Sequence, residues 1–124
     1  MIYLTGDTHG DFDRIIHFCE KMQTTRDDVM IILGDAGFNY YGGWRDERQK
    51  KRMAKQPITL LAIHGNHEIR PETLSGYREQ AWRGGTVYVE DTYPNLLFAK
   101  DGEVYDLDGR QALVIGGAYS VDKY

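Results

Sequence analysis

Three short apolar runs, each broken off by a polar segment containing glycine, constrain this chain more than any other feature. Residues 2–5 lead into Gly6-Asp7-Thr8-His9-Gly10-Asp11, residues 29–33 into Gly34-Asp35, and residues 58–63 into His64-Gly65-Asn66-His67-Glu68. The first run reads as a short buried strand, and the second and third as strands buried on both faces. The glycines mark tight loops at the strand ends, so each polar segment follows the carboxyl end of a strand.

Between the first two runs, Phe12, Ile15, Ile16, Cys19 and Met22 recur at spacings of three and four, the apolar stripe of a helix with Asp11 as its N-cap. Between the second and third, residues 44–55 are dense in Arg and Lys, with Asp46 and Glu47 near the start, a charge order that suits an exposed helix. The order β-α-β-α-β implies a parallel sheet. After Pro71 the pattern changes. Residues 86–90, 96–100, 103–107 and 111–115 read as short strands, with Asp101-Gly102 and Asp108-Gly109 as hairpin turns, which gives an antiparallel meander. No repeat, low-complexity tract or linker divides the 124 residues, so residues 1–124 read as one α/β domain.

Composition narrows the function classes. The chain is 41% hydrophobic and 27% charged, as in folded soluble proteins. A formal net charge of -4 supplies no overall positive field toward nucleic acid or anionic membranes, so an anionic substrate must be held by local features; nucleic acid is not excluded. The single Cys19 forms no internal disulfide, and there is neither a basic leader nor a long apolar run. A cytoplasmic protein without membrane association is expected.

In open α/β sheets, functional groups gather beyond the carboxyl ends of the strands. Asp7 and His9, Asp35, and Asn66 and His67 are therefore expected to converge. Bringing the Asp7 and Asp35 carboxylates within about 4 Å costs on the order of 4 kcal/mol of repulsion at an effective dielectric near 20, which a divalent cation between them reverses. Carboxylate, imidazole and amide oxygen form a ligand set suited to Mn²⁺, Fe, Zn²⁺ or Ni²⁺ rather than to thiolate-loving metals.

The order and spacing of D-x-H-G, G-D and G-N-H-E resemble the calcineurin-like metallophosphoesterase family. The resemblance implies part of that family's αββα sandwich. It implies Asp7 and His9 as ligands of a first metal, Asp35 as the carboxylate bridging two metals, Asn66 as a ligand of the second and His67 as the catalytic acid. The implied activity is hydrolysis of phosphomonoesters or phosphodiesters by metal-activated water. Two metals about 3.5–4 Å apart orient the phosphate, stabilise its developing charge and lower the pKa of bound water. His67, with an ordinary pKa near 6.5, suits protonation of the leaving alkoxide, and Glu68 could orient its imidazole.

Family members continue with a lone histidine and a G-H-x-H motif, which this sequence does not contain; its other histidines, His17 and His64, fit neither role. The chain therefore reads as the amino-terminal part of the domain, truncated after residues 116–124. Asp7, His9 and Asp35 reach the three-ligand minimum of an open catalytic site, whereas Asp35 and Asn66 do not. One metal is expected to be held weakly and the second scarcely at all, with weakened or absent turnover. An uncovered apolar face or open edge would favour a homodimer or a complementing segment. The alternative from the binding class is a non-catalytic module that holds metal or phosphate.

Simpler readings accompany several features. His17 lies beside its helix's apolar stripe and reads as partly exposed, and Cys19 and Met22 read as core. The basic run 48–55 is either a solvated helix face or a patch guiding a phosphorylated polymer. The aromatic and glycine-rich residues 39–44 read either as a substrate-facing loop or as packing.

Overall fold

A computed structural model describes residues 1–6, 12–33, 44–63, 76–100 and 102–114. Five elements follow the expected order: β1 (Ile2–Thr5), α1 (Asp13–Met22), β2 (Val29–Leu33), α2 (Trp44–Ala54) and β3 (Thr59–Ile63). Five strands follow: β4 (Tyr77–Trp82), β5 (Gly85–Glu90), β6 (Leu96–Ala99), β7 (Val104–Leu107) and β8 (Arg110–Leu113). The main sheet has the order β1-β2-β3-β6-β5-β4, and β7-β8 form a separate ribbon. β1, β2, β3 and β6 are parallel, and β5 runs antiparallel to both β6 and β4.

Burial explains this order and corrects the simple meander. All four residues of β6 are buried, so β6 takes a central slot and pairs in parallel with β3. β4, which the sequence reading did not include, alternates charged and polar residues with Tyr77, Ala81 and Trp82 and takes an edge, where such composition also discourages further strand pairing. Asp101 of the expected Asp101-Gly102 turn lies outside the described residues; on either side of it the Glu103 N–H donates to Lys100 O at 3.2 Å, and β6 and β7 are not paired with each other. The chain passes here from the sheet into the ribbon. The Asp108-Gly109 turn does join β7 to β8, and both residues have positive φ, as the tight hairpin that matches strand twist requires.

The two faces of the sheet bury different partners. On one, Phe12, Ile15 and Cys19 of the α1 region and Met53 of α2 pack with Met30, Ile32, Leu60, Ala62 and Phe98. On the other, Val29, Ile31, Leu61, Val87, Val89 and Leu97 pack with Tyr105 and Val114 from the ribbon region. Alternation along each strand thus gives a helix layer, a sheet and a ribbon. Three expectations are corrected locally. β1 is an edge strand rather than a buried one, with Leu4 66% exposed. Phe12 rather than Asp11 takes the N-cap position of α1, because its fully buried ring anchors the helix to the core. Met22, on the last turn of α1, is exposed, whereas Cys19 is core as expected.

The ribbon is pinned by close contact. The Tyr105 hydroxyl donates to Thr86 O and accepts from the Lys100 N–H at 3.1 Å, and the Asp106 N–H donates to Arg83 O at 2.7 Å. A Cβ on Gly85 would meet the Tyr105 ring at 2.8 Å and Val104 O at 2.9 Å, so the ring and the ribbon backbone can approach only a glycine. Gly85→Ala is expected to destabilise the fold by about 1–3 kcal/mol through overpacking, and Tyr105→Ala by about 3–5 kcal/mol through an unfilled cavity. Urea unfolding measures both.

Candidate metal centre

The carboxyl ends of β1, β2 and β3 form one continuous edge. Their residues pair in register, with Thr5 level with Ile32 and Leu33 level with Ile63. Asp7 follows Thr5 by two residues, Asp35 follows Leu33 by two, and Asn66 follows Ile63 by three. Adjacent strands lie about 4.8 Å apart, so the three motif segments leave the sheet within a strip about 10 Å wide. Two or three residues reach at most about 7–10 Å, a length that spans this strip. Asp7, His9, Asp35, Asn66, His67 and Glu68 themselves lie outside the described residues, as does His64.

The fit to a divalent cation therefore rests on two observations: the shared origin of the three segments and their donor chemistry. Carboxylate, imidazole and amide groups supply the hard and borderline ligands such ions take. Among the described residues no group of three or more His, Cys, Asp or Glu is placed to hold a metal. His17 is exposed on α1, and Cys19 is buried among apolar side chains.

The amino-terminal ends of the strands are tied together by hydrogen bonds. The buried Asn95 side chain donates to Ile58 O at 3.0 Å and to Met53 O at 3.4 Å, joining α2, β3 and β6. Arg26 donates from Nη2 to Ala54 O at 2.7 Å and from Nε to Gln56 O at 3.0 Å, which satisfies carbonyls at the end of α2. The Thr24 hydroxyl donates to Pro57 O at 2.6 Å.

A polar cluster that sequence reasoning missed holds α2 against β4 and β5. Lys50, expected on a solvated face, is buried, with its Nζ 2.6 Å from Glu90 Oε1 and 5.1 Å from the centre of the Tyr77 ring. Its Nζ is also 3.8 Å from Glu47, which accepts a 2.6 Å hydrogen bond from the Tyr93 hydroxyl. Burial, then the adjacent Glu47 carboxylate, push the Tyr93 phenol up to about 12. The run of charges around Lys50 conceals its burial; only its position three residues before Met53, on the inward side of the helix, signals it. Because Glu90 ends β5 and Tyr77 begins β4, this cluster lies toward the end of the sheet opposite the motif edge.

The family model of calcineurin-like phosphoesterases matches residues 1–123, and the chain belongs to that family. Family membership brings metal-dependent phosphoester hydrolysis, divalent metals and phosphorylated substrates as the general chemistry. The mixed α/β architecture, with its mostly parallel sheet and added antiparallel strands, agrees with a partial fold of this family. Neither a curated protein nor a solved structure matches the chain. Among the described residues no helix is long and apolar enough to cross a membrane.

Two stability effects follow from the polar cluster. Glu90→Gln leaves Lys50 buried without its nearest counter-charge and is expected to cost about 3 kcal/mol in urea unfolding. Between pH 10 and about 12 the unfolded chain loses the Tyr93 proton while the folded chain keeps it, so stability falls as pH rises. Tyr93→Phe is expected to flatten that decline, measured as unfolding free energy against pH.

Proposed function

We propose that the chain supplies a phosphoester-hydrolysing site at the carboxyl edge of β1, β2 and β3, with Asp7, His9, Asp35 and Asn66 as metal ligands and His67 as the proton donor. The observation that carries this reading is the in-register parallel pairing, from which all three motif segments leave side by side. A bound divalent ion would supply Lewis-acid stabilisation of phosphate charge and lower the pKa of water. Mn²⁺, Fe, Zn²⁺ and Ni²⁺ all suit the donor set.

Each residue has a separate task. Asp35, which follows the middle strand of the three, would be the carboxylate to bridge two ions. Asp7 and His9 would complete a three-ligand site with Asp35, and Asn66 would add an amide oxygen to a second. His67 would protonate the leaving oxygen, and the adjacent Glu68 would be the carboxylate to orient its ring. Both phosphomonoesters and phosphodiesters fit this scheme.

Hydrolysis of an aryl phosphate with added Mn²⁺ tests the assignment. Asp35→Asn is expected to abolish both metal uptake and turnover. His67→Ala is expected to lower kcat by about 10²–10⁴-fold while metal uptake persists. If Asp35→Asn changes neither quantity, the reading fails. Because the first site has three ligands and the second two, calorimetric titration is expected to show one weakly held Mn²⁺ per chain. Two tight equivalents would contradict that ligand count.

A further inference from the structure

The chain carries a net charge of -4, yet three cations line one exposed face of α2. Arg48, Lys51 and Lys55 recur at i, i+3 and i+7, on one face that continues just past the last helical residue, and all three are exposed. None forms an ion pair with a described residue. The nearby charges are already engaged: Arg52 with Asp13, and Glu47 with Tyr93 and Lys50. α1, on the same face of the sheet, carries mixed charges, with Asp13 and Glu20 beside Arg14 and Lys21. The three cations on α2 therefore form a strip in which none is paired with a described carboxylate.

The direction of this strip links it to the motif edge. The end of α2 lies five residues before Thr59, at the amino-terminal end of β3, so the helix runs antiparallel to the strands. Its eleven residues rise about 16 Å, close to the length of a five-residue strand. The start of α2 accordingly returns to the level of the carboxyl edge. From Arg48 to Lys55 the strip is about 10 Å long, a distance over which one strand of nucleic acid presents about three phosphates.

We propose that the Arg48, Lys51 and Lys55 face of α2 docks the phosphodiester backbone of a nucleic-acid strand and leads it toward the carboxyl edge of β1–β3. This inference rests on the phosphoesterase reading and names its substrate class. A lipid surface fits less well, because interfacial helices insert apolar side chains, and among the described residues the large exposed apolar side chains Met1, Leu4, Met22, Leu33, Val104 and Leu113 all lie off this helix. The contact is electrostatic and independent of base sequence.

The test is fluorescence anisotropy of a labelled oligothymidylate with the full chain in EDTA, which separates docking from hydrolysis. Binding is expected to weaken with salt, with a slope of log K against log salt near about -2 for three single-strand phosphate contacts. The triple variant Arg48→Glu, Lys51→Glu, Lys55→Glu is expected to weaken binding at least tenfold and flatten the slope. The milder triple replacement by Gln should do the same to a smaller degree, and Arg110→Glu on the ribbon should leave binding unchanged. With Mn²⁺, the triple variant should keep wild-type kcat/KM on an aryl phosphate. The inference is overturned if the oligonucleotide does not bind, if the triple variants bind it as wild type does, or if polyglutamate or phosphatidylserine vesicles compete equally well. Oligonucleotide docking through the strip without Mn²⁺-dependent hydrolysis of the aryl ester upholds the docking surface and overturns the phosphoesterase reading. Hydrolysis without docking does the reverse.

Discussion

Parallel pairing of β1, β2 and β3 in register is the constraint on which the rest of the structure depends. Parallel strands need crossovers, and here both crossovers are helices lying on one face of the sheet, where Phe12, Ile15, Cys19 and Met53 close the core. The same geometry sends every strand's carboxyl end to one side. Three polar segments separated by about thirty residues in sequence thus begin within a strand spacing or two of one another. A slip of one residue in either pairing would turn Met30 and Ile32, or Leu60 and Ala62, away from the helices, so the apolar pattern that builds the core also fixes where the motifs emerge.

The two ends of the sheet are handled differently. At the amino-terminal ends, Asn95, Arg26 and Thr24 satisfy backbone carbonyls where α2 and β3 meet, and the Lys50, Glu90 and Tyr77 cluster holds α2 toward that end. The carboxyl ends are followed by glycine, acidic and imidazole groups instead of by further apolar sequence. α2 joins these halves: its inward side contributes Met53 and the ion-paired Lys50 to stability, and its outward side presents Arg48 and Lys51, with Lys55 just beyond its end. Lys50 and the three cations Arg48, Lys51 and Lys55 thus serve different ends, decided by which side of the helix each occupies.

Much of this was legible in the chain. The bounds of β1 and β2 read from their apolar runs hold, and β3 begins one residue later than its run, at Thr59 rather than Ile58. Apolar periodicity located α1, charge order located α2, and the Asp108-Gly109 dipeptide located the β7-β8 turn. β4 escaped because an edge strand needs no apolar run; Arg78, Glu79 and Gln80 conceal the pairing that the Arg83-Gly84 turn, with both φ values positive, makes with β5. The placement of β6 beside β3 was equally hidden, since a short apolar run does not say which neighbour it pairs with. The ligand motifs were the clearest sequence signal, yet their side chains lie outside the described residues, so what the structure adds is the common edge from which they leave.

The central claim is that a divalent ion is held at the edge where the segments following three different strands meet. Paramagnetic broadening of amide resonances by substoichiometric Mn²⁺ tests it most directly. The account predicts strong broadening at Gly6, Gly34 and Gly65 together, with far weaker effects at Asp28, Gln56 and Asn95 at the opposite end of the sheet. Broadening at only one of the three glycines, or equal broadening at both ends, would contradict it.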